Sequence, residues 1–338
     1  MIPYRLRDAT RHGAARAPLT CLAMVVAIVP RLACGAEGLD MTLPPTSMPV
    51  QSAATAPTDP PADPGGFSDF LATWKARAAQ ARATQPAWSS PLVTTSGMLE
   101  QRIRFDMAAQ HSGNGTNTTV LDGGKGIDLI VGPTTEIQFA VAPYDFRTGV
   151  PGTGPKNKGA IASLNGFGDW PFVRIKQRLA SGSANEGNYF VSALFQIQAP
   201  TGIARLTSDA WTLLPTLAFG KGWGAFDIQG TVGGILPLSS ADRIGYQVAT
   251  NVAFQYHVLR VLWPELEVNW IYYANGQRGG LNQVYLTPGL VAGRLPLSDN
   301  LKFTLGVGYQ VAVSPAYVAR PLTPAYNHAW LLTTRMNF

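Results

Sequence analysis

The chain has 338 residues and a formal charge of +6, and only 14% of its residues are charged although 46% are hydrophobic, a balance that suits a surface facing lipid. The charge does not argue for a nucleic-acid partner, because five arginines (Arg5, Arg7, Arg11, Arg16 and Arg31) and Asp8 put +4 into the first 36 residues and leave +2 for the rest. Both cysteines, Cys21 and Cys34, lie in that same segment, so disulfide scaffolds and cysteine chemistry are excluded from the remainder.

Residues 1–36 read as a signal peptide: a basic start, an apolar core from Leu19 to Val29, and the small-residue site Cys34-Gly35-Ala36. A lipoprotein anchored through Cys34 is the alternative, but Arg31 stands where such signals want an apolar residue. Residues 37–66, rich in Pro, Thr, Ala and Asp, carry no hydrophobic period and are expected to be a disordered linker in the periplasm.

Next, Phe67, Phe70, Leu71, Trp74 and Ala78 recur at helical spacing until Pro86 ends the pattern, which predicts a short amphipathic helix within 67–87. A single short helix buries little area, so we expect it to lie on the membrane surface or to punctuate the linker rather than to plug the periplasmic mouth.

From about residue 98 the period becomes two. Leu99, Ile103, Phe105 and Met107 alternate with Glu100, Arg102, Arg104 and Asp106; near the other end Trp330, Leu332, Met336 and Phe338 alternate with Ala329, Leu331, Arg335 and Asn337. Between them, segments are expected near 127–132, 135–142, 168–180, 187–199, 210–221, 223–237, 245–258, 264–274, 283–294 and 300–314. A soluble sandwich would also alternate, but its strands average about 5 or 6 residues, whereas several of these are long enough for a tilted strand to cross a bilayer. Trp211, Trp223, Tyr246, Trp270, Tyr272 and Trp330 sit near segment ends, as in aromatic girdles. Long connections at 109–126, 143–167, 200–209 and 314–326 contrast with short ones at 132–134, 181–187, 259–263 and 295–299. The expected fold is all-β: a transmembrane antiparallel up-and-down barrel of about twelve strands over 88–338, preceded by a short N-terminal periplasmic helix.

Several phrases share one resemblance: Ser90-Pro91-Leu92-Val93-Thr94-Thr95, Gly166-Phe167-Gly168-Asp169, Ala199-Pro200-Thr201-Gly202, Leu217 to Gly224, Trp263-Pro264-Glu265-Leu266-Glu267 and Leu286-Thr287-Pro288-Gly289-Leu290. With Gly123 to Gly126, the chain over roughly 88–338 resembles the outer-membrane family named for the meta-pathway of phenol degradation. The resemblance implies an outer-membrane barrel, often assigned as a transporter and found in some members with aromatic-compound catabolism. It carries over no substrate residues. The final strand, with Trp330, Leu332, Met336 and Phe338, looks like the signal by which the barrel-assembly machinery recognises its clients.

The charges expected to face inward are Arg174, Lys176 and Arg178 on one strand, with Arg102 and Arg104 on the first, opposed by Glu100, Asp106, Glu136, Asp227, Glu265 and Glu267. Two readings stay open: a constriction that selects solutes in a water-filled lumen, or a salt-bridge network that packs the interior. A hydrolase is the rival class, yet His111 (placed in a loop), His257 (facing inward) and His328 (on the lipid face) have no G-x-S-x-G motif beside them. Gly220-Lys221-Gly222, like Gly123 to Gly126, reads as a turn rather than a phosphate loop. No metal or other cofactor motif is visible. The expected partners are outer-membrane lipid, the assembly machinery and a small solute that enters passively; a structural or adhesive barrel acting through its outer loops is the third reading.

Overall fold

The computed structural model describes residues 66–113, 115–123, 125–149, 163–204, 206–298, 300–315 and 326–338. The signal peptide, its cysteines and nearly all of the linker lie outside the described residues.

Fifteen strands form one antiparallel sheet that closes on itself. In chain order they are β1 (Arg102–His111), β2 (Asn117–Leu121), β3 (Gly126–Ile130), β4 (Thr135–Ala140), β5 (Tyr144–Thr148), β6 (Leu164–Phe167), β7 (Trp170–Gly182) and β8 (Tyr189–Ala199). They continue as β9 (Thr212–Trp223), β10 (Phe226–Pro237), β11 (Gln247–Tyr256), β12 (Leu262–Tyr273), β13 (Asn282–Ser298), β14 (Leu301–Ser314) and β15 (His328–Asn337). Closure is made by β15 on β1, in unbroken register from Arg102 opposite Asn337 to His111 opposite His328.

Three passes are broken midway: β1 pairs with β3 along Arg102–Arg104 and with β2 along Met107–His111, and β4–β5 and β6–β7 continue the same division. Each pair counts as one crossing, so the barrel has twelve. Single main-chain bonds carry the sheet across the breaks, from the N–H of Asp122 to Asp106, of Val141 to Lys125 and of Gly168 to Pro143.

Alternation sets the two faces. Ile103, Phe105, Phe139, Ile175, Phe195, Leu217, Phe254, Leu266 and Leu305 are exposed on the outside, far more apolar surface than a soluble monomer tolerates. The inward rows are polar or small: Glu136 and Gln138, Ser192 and Gln196, Asp227 and Gln229, Glu265 and Glu267, Thr333 and Arg335. Exposed Trp223 and Tyr256 flank one end of the outer belt, and Trp211, Tyr246 and Trp330 the other. Tight turns gather at the end where the chain enters β1 and leaves β15, here called the terminal end. One is the two-residue link of β9 to β10, where Gly224 supplies a φ of +59° at the first central position.

Two expectations are corrected at the N-terminal side. The first strand begins at Arg102, not near residue 98, because the N–H and carbonyl of Leu99 bond to the Gln85 side chain (2.9 and 2.8 Å) instead of joining the sheet. The helix, α1 (Phe67–Ala83), does more than punctuate a linker. It is tied to the terminal end of the barrel: Trp74 Nε1 donates to the carbonyl of Ile130 at 2.7 Å, Arg77 to that of Val131 at 3.0 Å and Arg82 to the main-chain oxygen of Phe338 at 3.2 Å. Its Ala78 and Ala81 pack on Leu99 and Ile130, whereas Phe70 of the expected apolar stripe is exposed.

A lumen closed by its own chain

Residues 84–101 form no strand and run inside the barrel. The Gln85–Leu99 clamp pinches 86–98 into a loop, and Ser89, Ser90, Leu92, Thr94, Ser96 and Met98 within it are buried. The loop pairs with no strand, so the wall satisfies its main-chain groups instead.

The carbonyls of Ser90, Pro91, Leu92 and Met98 face one side of the wall, built by β15, β1, β3, β4 and β7. Arg335 donates to the carbonyls of Ser90 and Pro91 (2.7 Å to the latter), Arg104 Nη2 to that of Leu92 at 2.6 Å, and Lys176 Nζ to that of Met98 at 2.7 Å. Arg178 reaches lower, to the carbonyls of Ala81 at 2.6 Å and Pro133 at 2.9 Å. Two of these cations, and Arg102 beside them, also have acids at hand: Arg102 meets Asp128 at 2.8 Å and Glu100 at 2.6 Å, Arg104 meets Asp106 at 2.8 Å, and Lys176 meets Glu136 at 2.8 Å.

The N–H groups of Leu92, Val93 and Thr94 face the opposite side, β10 to β12. Leu92 donates to Glu265 Oε1 at 3.0 Å, Val93 to Glu267 Oε1 at 2.7 Å, and Thr94 to Glu267 Oε2 through both its N–H (2.6 Å) and its hydroxyl (2.5 Å). Asp227 stands behind Gln229, whose amide donates to it, to Gln255 and to the carbonyl of Ser89. Among the described residues, no lysine or arginine pairs with Asp227, Glu265 or Glu267.

The structure thus brings all eleven charges expected to face inward into one interior, and all but one of them belong to the loop or meet the loop, α1 or partners of these. Arg174 is the exception, held on the wall by Gln196 at 2.8 Å. Of Arg174, Lys176 and Arg178, only Lys176 meets a carboxylate among the described residues; Arg178 turns to main-chain carbonyls. Glu100, expected on the first strand, belongs to the loop, and its N–H donates to Glu136 at 2.6 Å.

Sequence reasoning missed Arg335, Asp128 and the loop itself. The phrase Ser90 to Thr95 reads as a turn because its wall partners lie 12 to 245 residues away, a separation with no local signal.

Two cavities bracket the loop. One of about 880 Å³ opens on the terminal side, lined by Trp74, Arg82, Ser90, Arg102, Arg335 and Asn337 among others. The other, about 200 Å³, lies beyond the loop's tip, lined by Leu92, Val93, Asp106, Gln310, Tyr326 and Thr333 among others. Arg335 and Thr333, successive inward residues of β15, therefore border different cavities with the loop between them. Tyr326 donates to Gln310, and burial pushes its phenol above the usual range, so it stays a donor.

The three histidines in the described residues pair with rings and amides. His111, at the end of β1 rather than in a loop, bonds Asn117 at 2.6 Å and stacks on His328 at 4.8 Å; His257 lies flat on buried Trp263 at 4.3 Å. On β15, Trp330 and Met336 are exposed outward with half-buried Leu332, and the N–H of Phe338 donates to Gln101 at 3.2 Å.

A closed antiparallel barrel of twelve crossings, apolar outside and polar within, defines an outer-membrane type of β-barrel. No family model and no curated protein matches the sequence. Among solved structures, the chain is similar to an outer-membrane channel from Pseudomonas putida F1 (12% identity over 74% of this chain and 98% of that one, TM-score 0.43). It is also similar to the NanC porin (7%, 70% and 98%, TM-score 0.42) and to outer membrane phospholipase A from Escherichia coli (9%, 78% and 98%, TM-score 0.35). Channels and an enzyme share this likeness, which is one of fold alone.

Proposed function

We propose that the chain is an outer-membrane channel for the passive passage of small solutes, shut in this structure by residues 84–101. One observation carries the reading. Two cavities on successive levels of the lumen are separated by a loop held through hydrogen bonds. A barrel built only for rigidity has the simpler option of filling its interior with wall side chains. The resemblance to the phenol-degradation family adds aromatic and hydrophobic compounds to the solutes considered, and the exposed row of β15 suits recognition by the assembly machinery and then contact with lipid.

The test is planar-bilayer conductance and liposome swelling with the purified protein. Wild type should be mostly closed with brief openings, and Thr94→Pro, which removes one N–H donor to Glu267, should lengthen them. A barrel that passes no small solute in either form, yet releases fatty acid from phospholipid, would support the hydrolase instead.

A further inference from the structure

Leu92 is held at three points. Its N–H donates to Glu265 at 3.0 Å, its carbonyl accepts from Arg104 at 2.6 Å, and its side chain enters a pocket with Trp263 and Val291. The pocket exists because three wall residues lack side chains. A Cβ on Gly289, Gly306 or Gly308 would stand 2.4, 2.7 or 2.6 Å from a Leu92 methyl carbon, too close for any real contact. On either side the grip continues along the backbone, by Arg335 on the carbonyls of Ser90 and Pro91 and by Glu267 on the amides of Val93 and Thr94.

This combination exceeds what blocking requires. Apolar packing would shut the lumen without burying Glu267, which is fully enclosed and has no cation beside it. Convergent polar groups that read main-chain N–H and C=O, next to a shaped apolar pocket, are the parts of a binding site. We propose that residues 90–94 are an internal pseudo-ligand, and that the wall site they fill takes a short extended peptide with an aliphatic residue at its centre. The proposal rests on the channel reading and adds a class of solute to it.

The experiment uses the full chain in detergent micelles and a fluorescent, end-blocked pentapeptide of sequence Ser-Pro-Leu-Val-Thr, with binding read by anisotropy. Leu92→Asp puts a charge where the glycine-lined pocket takes none, and so vacates the site without touching the wall. The peptide should bind this variant at least tenfold more tightly than it binds wild type, and at least tenfold more tightly than a peptide with Asp at its centre. Adding Gly308→Leu, which fills the pocket, should abolish the difference. Thr94→Pro loosens the loop by another route and is read the same way if Leu92→Asp does not fold. Equal binding of the two peptides, or none to a folded variant, overturns the proposal. Binding needs no flux, so a peptide site that fails here is distinguishable from a channel that fails to conduct.

Discussion

The two sides of the lumen hold the same loop by opposite means. On β15, β1, β3, β4 and β7, cations grip its carbonyls while acids on the same wall and on the loop balance the cations. On β10 to β12 there are carboxylates alone, and the donors to Glu267 all come from the loop. The basic side is therefore largely self-sufficient, whereas the acidic side depends on the loop for its counterparts. Withdrawing the loop strips Glu267 of all three of its donors; on the basic side Arg335 loses two carbonyls, but Arg102 keeps Asp128, Arg104 keeps Asp106 and Lys176 keeps Glu136, so the acidic side is the latch and the basic side the frame.

The largest expected effect falls on the frame. Lys176→Met leaves Glu136 buried without its cation, and breaking such a pair costs about 3–5 kcal/mol; the temperature at which the folded band disappears from semi-native gels should fall clearly. If the variant unfolds at the wild-type temperature, the basic side is no frame.

Next comes the latch. Glu267→Leu leaves two buried N–H groups and a hydroxyl without their acceptor, and at about 1–3 kcal/mol for each unsatisfied group it should shift the loop toward withdrawal by about 3 kcal/mol, roughly a hundredfold in open probability. Bilayer recordings check this, with the unfolding temperature little changed. Arg335→Gln weakens the hold on two carbonyls, at about 1.5 kcal/mol or roughly tenfold, and a larger effect than that of Glu267→Leu would reverse the assignment of latch and frame. Trp330→Leu alters only the lipid face and should leave conductance unchanged, with a loss of stability under about 1 kcal/mol.

The legible part of this molecule is what alternation encodes. Arg102 and Arg104 on one face of β1, with Ile103 and Phe105 on the other, announce a two-faced strand from four adjacent residues, and the same holds on β15. The extra breaks near 122–125 and 141–143 were less visible, because the side-chain period resumes beyond each of them. The site was half legible. Alternation marks its charges as inward residues, but offers only one another as partners, across a lumen either open or salt-bridged. Main-chain groups of residues 90–98 supply many of those partners, and a carbonyl or an amide leaves no mark in a residue pattern.

The sequence by itself determined the barrel, its inner and outer faces and the count of crossings, because a period of two is a local property of a strand and closure follows from pairing neighbours. Only the tertiary structure decided that α1 is bound at the terminal end and that residues 84–101 fill the lumen. That choice rests on contacts such as Thr94 to Glu267 and Arg335 to Ser90, made across 173 and 245 residues, which exist only after the wall has closed around them.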